Sequence, residues 1–342
     1  MANDAFLKAC RLEKAGYTPV WLMRQAGRYL KEYMAIRSKH SFLEMCRTPE
    51  LACEVTLQPL RRFELDAAII FADILLPLDG MGINLEFAKN EGPVISNPVR
   101  EIKDIEALRV IDPEAHVPFL LQAIRLVKKE LNGKAPLIGF SGAPFTIASY
   151  IIEGEGSRSY IHTKGLMYKE PEAWKLLMDK ITESLSLYLN AQIDAGAEAV
   201  QVFDSWVGCL SPGDYTEFAL PYTKRLIASV KKRVPVINFS TNTGAYLDLV
   251  REAGGDVVGV DWRVRLDSAW KTIGYDKAIQ GNLDPAALFG GTDTIRKKVK
   301  EILGMAGNRP GHIFNFGHGI LVGTAVDNVK ALVDAVHELS AT

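Results

Sequence analysis

The amino-acid sequence predicts an α/β protein built as a (β/α)8 barrel of the TIM type, one domain over residues 1–342 with an insertion after the second strand. Three observations predict it. Eight short apolar runs recur along the chain, and each ends in a polar or glycine-bearing segment. A stretch with helical spacing follows each run. The 342 residues, 48% apolar and 24% charged, are ordinary globular material, and barrels of this length close around one core. An open doubly wound sheet is the alternative, because strand–helix alternation alone does not prove closure.

The runs fall at residues 19–23, 67–72, 137–142, 199–205, 234–241, 256–262, 278–284 and 312–319. They are rich in Val, Ile and Phe, as parallel strands buried on both faces require. Between them, Trp174, Leu177, Met178, Ile181, Leu185, Tyr188 and Leu189 recur at helical spacing. That helix should begin near Pro171, where a missing N–H costs nothing, and stop by Gly196. Ser211 to Asp214 reads as a capping box, and Pro221 should kink or break the helix that follows. Val329, Leu332, Val333, Val336 and Leu339 give the last helix its buried stripe. The insertion, residues 80–97, is rich in Gly and Asn and is expected to hold a hairpin.

Composition excludes several function classes. Forty Lys and Arg against 41 acids leave a net charge near −1, so no general nucleic-acid binder is expected. Anion affinity must then come from locally placed arginines. Cys10, Cys46, Cys53 and Cys209 form no CxxC pair, so neither a disulfide framework nor zinc is expected. The first residues lack the apolar core of a signal peptide. The longest apolar stretch, residues 67–78, is too short for a membrane span and contains Asp73. The expectation is a soluble, cytoplasmic protein with no membrane partner. The motifs that bind ATP, NAD, calcium or zinc are missing, so no cofactor and no metal are expected.

In a barrel the chemistry sits on the segments after the strands. The polar residues there are Arg24, Gln25 and Arg28, then Asp73, Ser141, Thr146, Asp204, Ser205, Thr241, Asn242, Asp261, Asn282, Asp284 and His318. If the segment after Met23 is helical, Arg24 and Arg28 share a face, where an anion would resolve their repulsion. The ordinary alternative is that Glu32 pairs with Arg28. Arg37 adds a third cation nearby. Asp73 is a lone acid inside an apolar run, and burying it is costly unless it meets a cation or N–H donors. Tyr150 follows a Gly/Pro turn and could equally be a core aromatic. Ser205 lacks the GxSxG elbow of a nucleophile, so hydrogen bonding to substrate or helix capping fits it better than a triad with His318. His318 stands between glycines that permit close approach.

These segments resemble the uroporphyrinogen decarboxylase family. The resemblance rests on MRQAGRY (23–29), VTLQPLRRFELDAAIIFADIL (55–75), GFSGAPFTIASYIIEG (139–154), QVFDSWVG (201–208) and NFGHGI (315–320), in the family's order over almost the whole chain. It implies a (β/α)8 barrel working as a homodimer. It also implies decarboxylation of the four acetate side chains of uroporphyrinogen III to methyls, through partly decarboxylated intermediates, to give coproporphyrinogen III. Carried over residue by residue, the arginine motif that grips substrate carboxylates is Arg24, Gln25, Ala26, Gly27 and Arg28. The central carboxylate is Asp73, further substrate contacts are Tyr150, Ser205 and His318, and Arg37 is the arginine discussed for proton transfer. The chain departs from the family at Lys31, Phe316, Val322 and Ala325, which bears on two loops. Two other functions compete: a cobalamin-linked methyltransferase of the same superfamily, which would need a His/Cys zinc set, and a non-catalytic tetrapyrrole carrier. Asp73 argues against the carrier, since a binder of a polyanion gains little from another anion.

Overall fold

A computed structural model describes residues 4–88, 92–231 and 234–341. Seven strands form one parallel sheet: β1 (Ala68–Ile69), β4 (Leu137–Gly142), β5 (Ala199–Asp204), β6 (Val236–Ser240), β7 (Val257–Gly259), β8 (Ala278–Gln280) and β9 (His312–Ile313), hydrogen-bonded in that order. Between β1 and β4 in the chain, β2 (Leu85–Ala88) and β3 (Gly92–Ile95) pair antiparallel as a hairpin, with Leu85 opposite Ile95. The hairpin expected in residues 80–97 is therefore present, and its turn at 89–91 lies outside the described residues.

The sheet is curled. Ile138, Ala199, Ile237, Val257, Ala278 and Ile313, one from each strand β4 to β9, share an inner cluster with Trp21 and with Phe6, Ala9 and Cys10 of the helix Ala5–Cys10. Alternate residues such as Val200, Val202, Val258 and Ile279 pack outward into the larger core beneath the helices. Both faces are thus buried, which is why these runs carry no polar alternation. A polar thread crosses the inner cluster: Trp21 Nε1 donates to Gln280 Oε1 (2.9 Å), and Gln280 Nε2 donates to Gln201 Oε1 (3.0 Å). Each amide buried there thereby finds a partner.

The first predicted strand, residues 19–23, does not form one. It makes a single parallel bridge, Val20 to Phe314. Pro19 has no N–H to give, and the N–H of Val20 goes to the Asp66 carboxylate (2.7 Å) instead of a strand carbonyl. Its carbonyls reach both edges of the sheet all the same: Phe314 N donates to Pro19 O (2.8 Å) and Asp66 N to Val20 O (2.9 Å). The later strands are shorter than their apolar runs because the run ends turn away to carry polar loops.

The helices follow the sequence more closely. Pro171–Ala195 opens with proline in its first turn and closes before Gly196, with Trp174, Leu177, Met178 and Ile181 buried. Ser211 caps its helix by accepting from Asp214 N (3.1 Å). The break expected at Pro221 takes the form of a π-turn, Tyr215–Ala219, before the helix Leu220–Ser229. The proline's missing N–H lets the ladder slip there. Two residues noted above sit at helix starts: Lys31 opens the helix Lys31–Arg37, and Ala325 precedes Val326–Ser340. No helix among the described residues is long and apolar enough to cross a membrane.

Candidate active site

One cleft of about 600 Å³ gathers the ends of the strands and the segments after them. Every residue carried over from the family resemblance lines it: Arg24, Gln25, Ala26, Gly27, Arg28, Arg37, Asp73, Tyr150, Ser205 and His318. They come from positions as far apart as 24 and 318 in the chain, so the tertiary fold alone collects them.

The arginine segment is not the helix expected after Met23. Residues 24–30 form successive turns, with Leu30 N bonded to Gly27 O (3.0 Å), and helix begins only at Lys31. Arg24 itself takes a left-handed backbone, φ 60°, which disfavours any residue with a β-carbon. Gln25 holds that turn in place. Its Oε1 accepts from Leu22 N (3.1 Å) and its Nε2 donates to Ala67 O (3.2 Å), while Tyr29 Oη donates to Gln25 O (2.7 Å). The carboxamide of Gln25 is therefore committed to the fold. The alternative partner for Arg28 is also ruled out, because Glu32 pairs with Arg62. Arg24 and Arg28 are exposed and form no ion pair among the described residues. Arg37 donates to His40 O (2.9 Å).

Asp73 lies just beyond β1 among Phe71, Ile74 and Leu75. Enclosure by these apolar neighbours raises its pKa to about 6, against the opposing pull of Leu75 N–H (2.9 Å from Oδ1) and the charge of Arg24. The side chain remains partly open to the cleft. A carboxylate so held has spare acceptor capacity facing the cavity.

His318 faces the same space. Burial, with help from Arg24 and Arg263, lowers its pKa to about 4, so at neutral pH it is an uncharged imidazole. Its flanking glycines serve the protein's own chain. A β-carbon on Gly317 would stand 2.2 Å from Trp262 N, and one on Gly319 would stand 2.3 Å from Arg24 Cδ. Ser205, Asp204 and His318 make no hydrogen bond with one another among the described residues. Asp204 accepts instead from Thr146 Oγ1 (2.7 Å), which leaves no triad.

Much of the expected rim does not reach the cleft. Ser141, Thr146, Asp204, Thr241, Asn242, Asp261, Asn282 and Asp284 all lie outside its lining. Most of them tie loops together. Thr241 Oγ1 donates to Ser205 O (2.6 Å), Asp261 accepts from Asn242 N (2.7 Å) and Arg263 N (3.0 Å), and Asp284 caps the turn after it. The sequence reading missed the walls, which are aromatic: Tyr33, Phe42, Phe71, Phe87, Phe140, Phe203, Trp206 and Phe239. Phe87, from the hairpin, meets Phe42 at 4.9 Å between centroids, and Phe42 meets Phe71 at 5.7 Å. Tyr150 stacks on Trp206 at 3.8 Å. The one signal for these in the sequence was an aromatic directly before or after a polar strand end, as in Phe203 and Trp206. An aromatic-walled cleft that presents arginines and a carboxylate suits a large polyanion that carries N–H donors.

No group of three His, Cys, Asp or Glu side chains able to hold a metal ion occurs among the described residues.

The family model described as uroporphyrinogen decarboxylase matches residues 1–339. The uroporphyrinogen decarboxylase of Carboxydothermus hydrogenoformans is 64% identical, over 99% of this chain and 97% of its own. That of Sorangium cellulosum is 56% identical, over 98% of this chain and 97% of its own. Among solved structures, a methyltransferase from Methanosarcina mazei superposes with a TM-score of 0.83 at 22% identity, covering 98% of both chains. That last likeness speaks for the fold alone.

Proposed function

The chain belongs to the uroporphyrinogen decarboxylase family, and we propose that this cleft is where it removes the carboxyl groups of the four acetate side chains of uroporphyrinogen III. The product is coproporphyrinogen III, and the enzyme is a carboxy-lyase of porphyrin and haem biosynthesis. The observation that carries the reading is Asp73, the one carboxylate among the described residues lining the cleft, which it shares with aromatic side chains and with Arg24, Arg28 and Arg37.

The mechanism follows from where the charge goes. When an acetate loses CO₂, the bonding electron pair stays on the methylene carbon and needs a sink. A pyrrole protonated on its ring carbon is that sink, so the substrate supplies what a coenzyme often provides. The pair moves into the ring, the exocyclic carbon takes a proton to become a methyl, and the ring carbon gives up the proton it had gained, so the pyrrole is restored and one proton is consumed for each CO₂ released. Asp73 faces the pyrrole N–H groups and balances the cation that develops on the ring. Its environment is apolar, so the interaction is strong and is in place before the reaction. Accepting pyrrole N–H bonds favours its charged form and offsets the desolvation that raises its pKa. Arg24, Arg28 and Arg37 receive the acetates and propionates through charge-assisted hydrogen bonds. Tyr150, Ser205 and neutral His318 complete the polar contacts, while Gln25, Ala26 and Gly27 shape the turn that presents the arginines.

Two further proposals accompany this. Residues 19–23 close the sheet into a full (β/α)8 barrel as a single domain. Their carbonyl bonds to Phe314 on one side and Asp66 on the other support that reading. The enzyme works in the cytoplasm as a homodimer without nucleic-acid or membrane partners, and sedimentation of the purified protein tests its assembly.

The deciding experiment follows eight-, seven-, six-, five- and four-carboxyl species chromatographically, anaerobically, with no metal or coenzyme added. Complete conversion to the four-carboxyl product is expected. Binding without turnover would point to a carrier. Stoichiometric zinc with activity lost to a chelator would point to the methyltransferase reading.

A further inference from the structure

Behind the cleft, one hydroxyl joins three parts of the wall. Thr146, fully buried, donates to Asp204 Oδ1 (2.7 Å) and accepts from Trp206 N (3.2 Å). Asp204 is the last residue of β5 and is also buried. Thr146 lies in the first turn of the helix Pro144–Glu153, and Tyr150 is one helical turn further along it. The Tyr150 ring stacks on the ring of Trp206 at 3.8 Å and 31°, and Tyr160 meets Trp206 edge-on at 5.4 Å. Thr241 Oγ1 donates to Ser205 O (2.6 Å). Tyr150, Ser205 and Trp206 all face the cavity, whereas Thr146 and Asp204 do not.

Resting on the reaction proposed above, we infer that Thr146 and Asp204 are positioning residues that fix the Tyr150–Trp206 wall, and that this wall seats the partly decarboxylated intermediates. The physical reason is that each round of decarboxylation removes one carboxylate from the substrate. The arginines therefore grip each successive intermediate less firmly, and apolar contact of the pyrrole rings and their new methyls with the aromatic wall carries a growing share of the binding. Each round also turns a new acetate toward Asp73, which requires a wall that keeps its place while the macrocycle is reseated. Burying a carboxylate with a single hydroxyl donor and no cation is costly. Its placement at the strand end is consistent with a task of orientation rather than stability.

The test is Thr146→Val, which keeps the shape and removes the hydroxyl, assayed separately with the eight-carboxyl substrate and with the five-carboxyl intermediate. KM for the five-carboxyl species is expected to rise about tenfold, because the freed Tyr150–Trp206 wall must then be ordered when the intermediate binds. KM for the eight-carboxyl substrate should change much less, and five- to seven-carboxyl species should accumulate. Thr146→Ser should restore the normal ratio. Should Thr146→Val fail to fold, the same ratio is read from Asp204→Leu, which is close in size and cannot accept from Thr146. Equal losses at every round, or an unchanged product series in a folded variant, would overturn the inference. Wild-type protein in the same assay reports on the decarboxylase reading itself, so the two failures are distinguishable.

Discussion

The side chain of Arg24 lies against Gly319, in the space that a β-carbon at residue 319 would occupy: that carbon would sit 2.3 Å from Arg24 Cδ and 2.6 Å from Cγ. The two residues are at opposite ends of the chain. Gly319 is thus part of how Arg24 is aimed into the cleft, and it also explains why His318 is followed by the smallest residue.

Gly319→Ala should accordingly behave like a mild form of Arg24→Ala. The guanidinium would be displaced without being removed, so KM for uroporphyrinogen should rise while the fold persists. Steady-state kinetics beside a thermal melt check this. Normal KM in the folded variant would mean that Arg24 relaxes freely.

Arg24→Ala and Arg28→Ala should each weaken substrate binding, since each deletes a charge-assisted contact worth roughly 1.5–3 kcal/mol. Neither arginine forms an ion pair among the described residues, so the melts should change little. Unchanged affinity would make them ordinary surface charges.

Asp73→Asn is nearly isosteric and removes a charge that its surroundings disfavour, so it should fold at least as well as the wild type. Asn retains one acceptor for a pyrrole N–H, and some binding should survive. It cannot balance the ring cation, so turnover should fall about a hundredfold or more. Asp73→Glu should also be slow, because its extra methylene drives the carboxylate into the macrocycle. Near-normal turnover in folded Asp73→Asn would reopen the choice of catalytic group.

The pH dependence of stability offers a separate check on Asp204. Burial raises its pKa from 3.8 to about 7. Between those values the folded protein holds a proton that the unfolded chain has released. Stability from this group is therefore greatest below pH 4, falls as pH rises through the folded pKa, and is level above it. His318 and His312, both lowered by burial from 6.5 to about 4, act in the opposite sense, and their stability grows between those values. Asp204→Asn removes only the first component. Its melting temperature relative to wild type should climb from pH 4 to pH 7 and then stay level. A difference that does not vary with pH would show that Asp204 is not held in this way.

The sequence, through its resemblance to the family, marked the residues that meet in the cleft; by itself it determined the α/β class, most strand positions and the long helix from Pro171. These are consequences of local pattern: buried parallel strands need unbroken apolar runs, helices need their periodic stripe, and a lone acid such as Asp73 stands out in such a run. The tertiary structure decided what depends on partners distant in the chain. Residues 19–23 read as a strand, yet the Asp66 carboxylate takes the N–H of Val20. The arginine segment read as a helix, yet Gln25 ties it to Leu22 and Ala67 as a turn that holds Arg24 left-handed. Asp204, Thr241 and Asp261 read as rim chemistry, yet Asp204 spends its side chain on Thr146 of a helix and the other two spend theirs on loops. The aromatic walls were illegible for the same reason: Phe42, Phe87 and Phe203 are ordinary apolar residues in sequence, and only the folding of the sheet, helix and hairpin toward one another turns them into a slot.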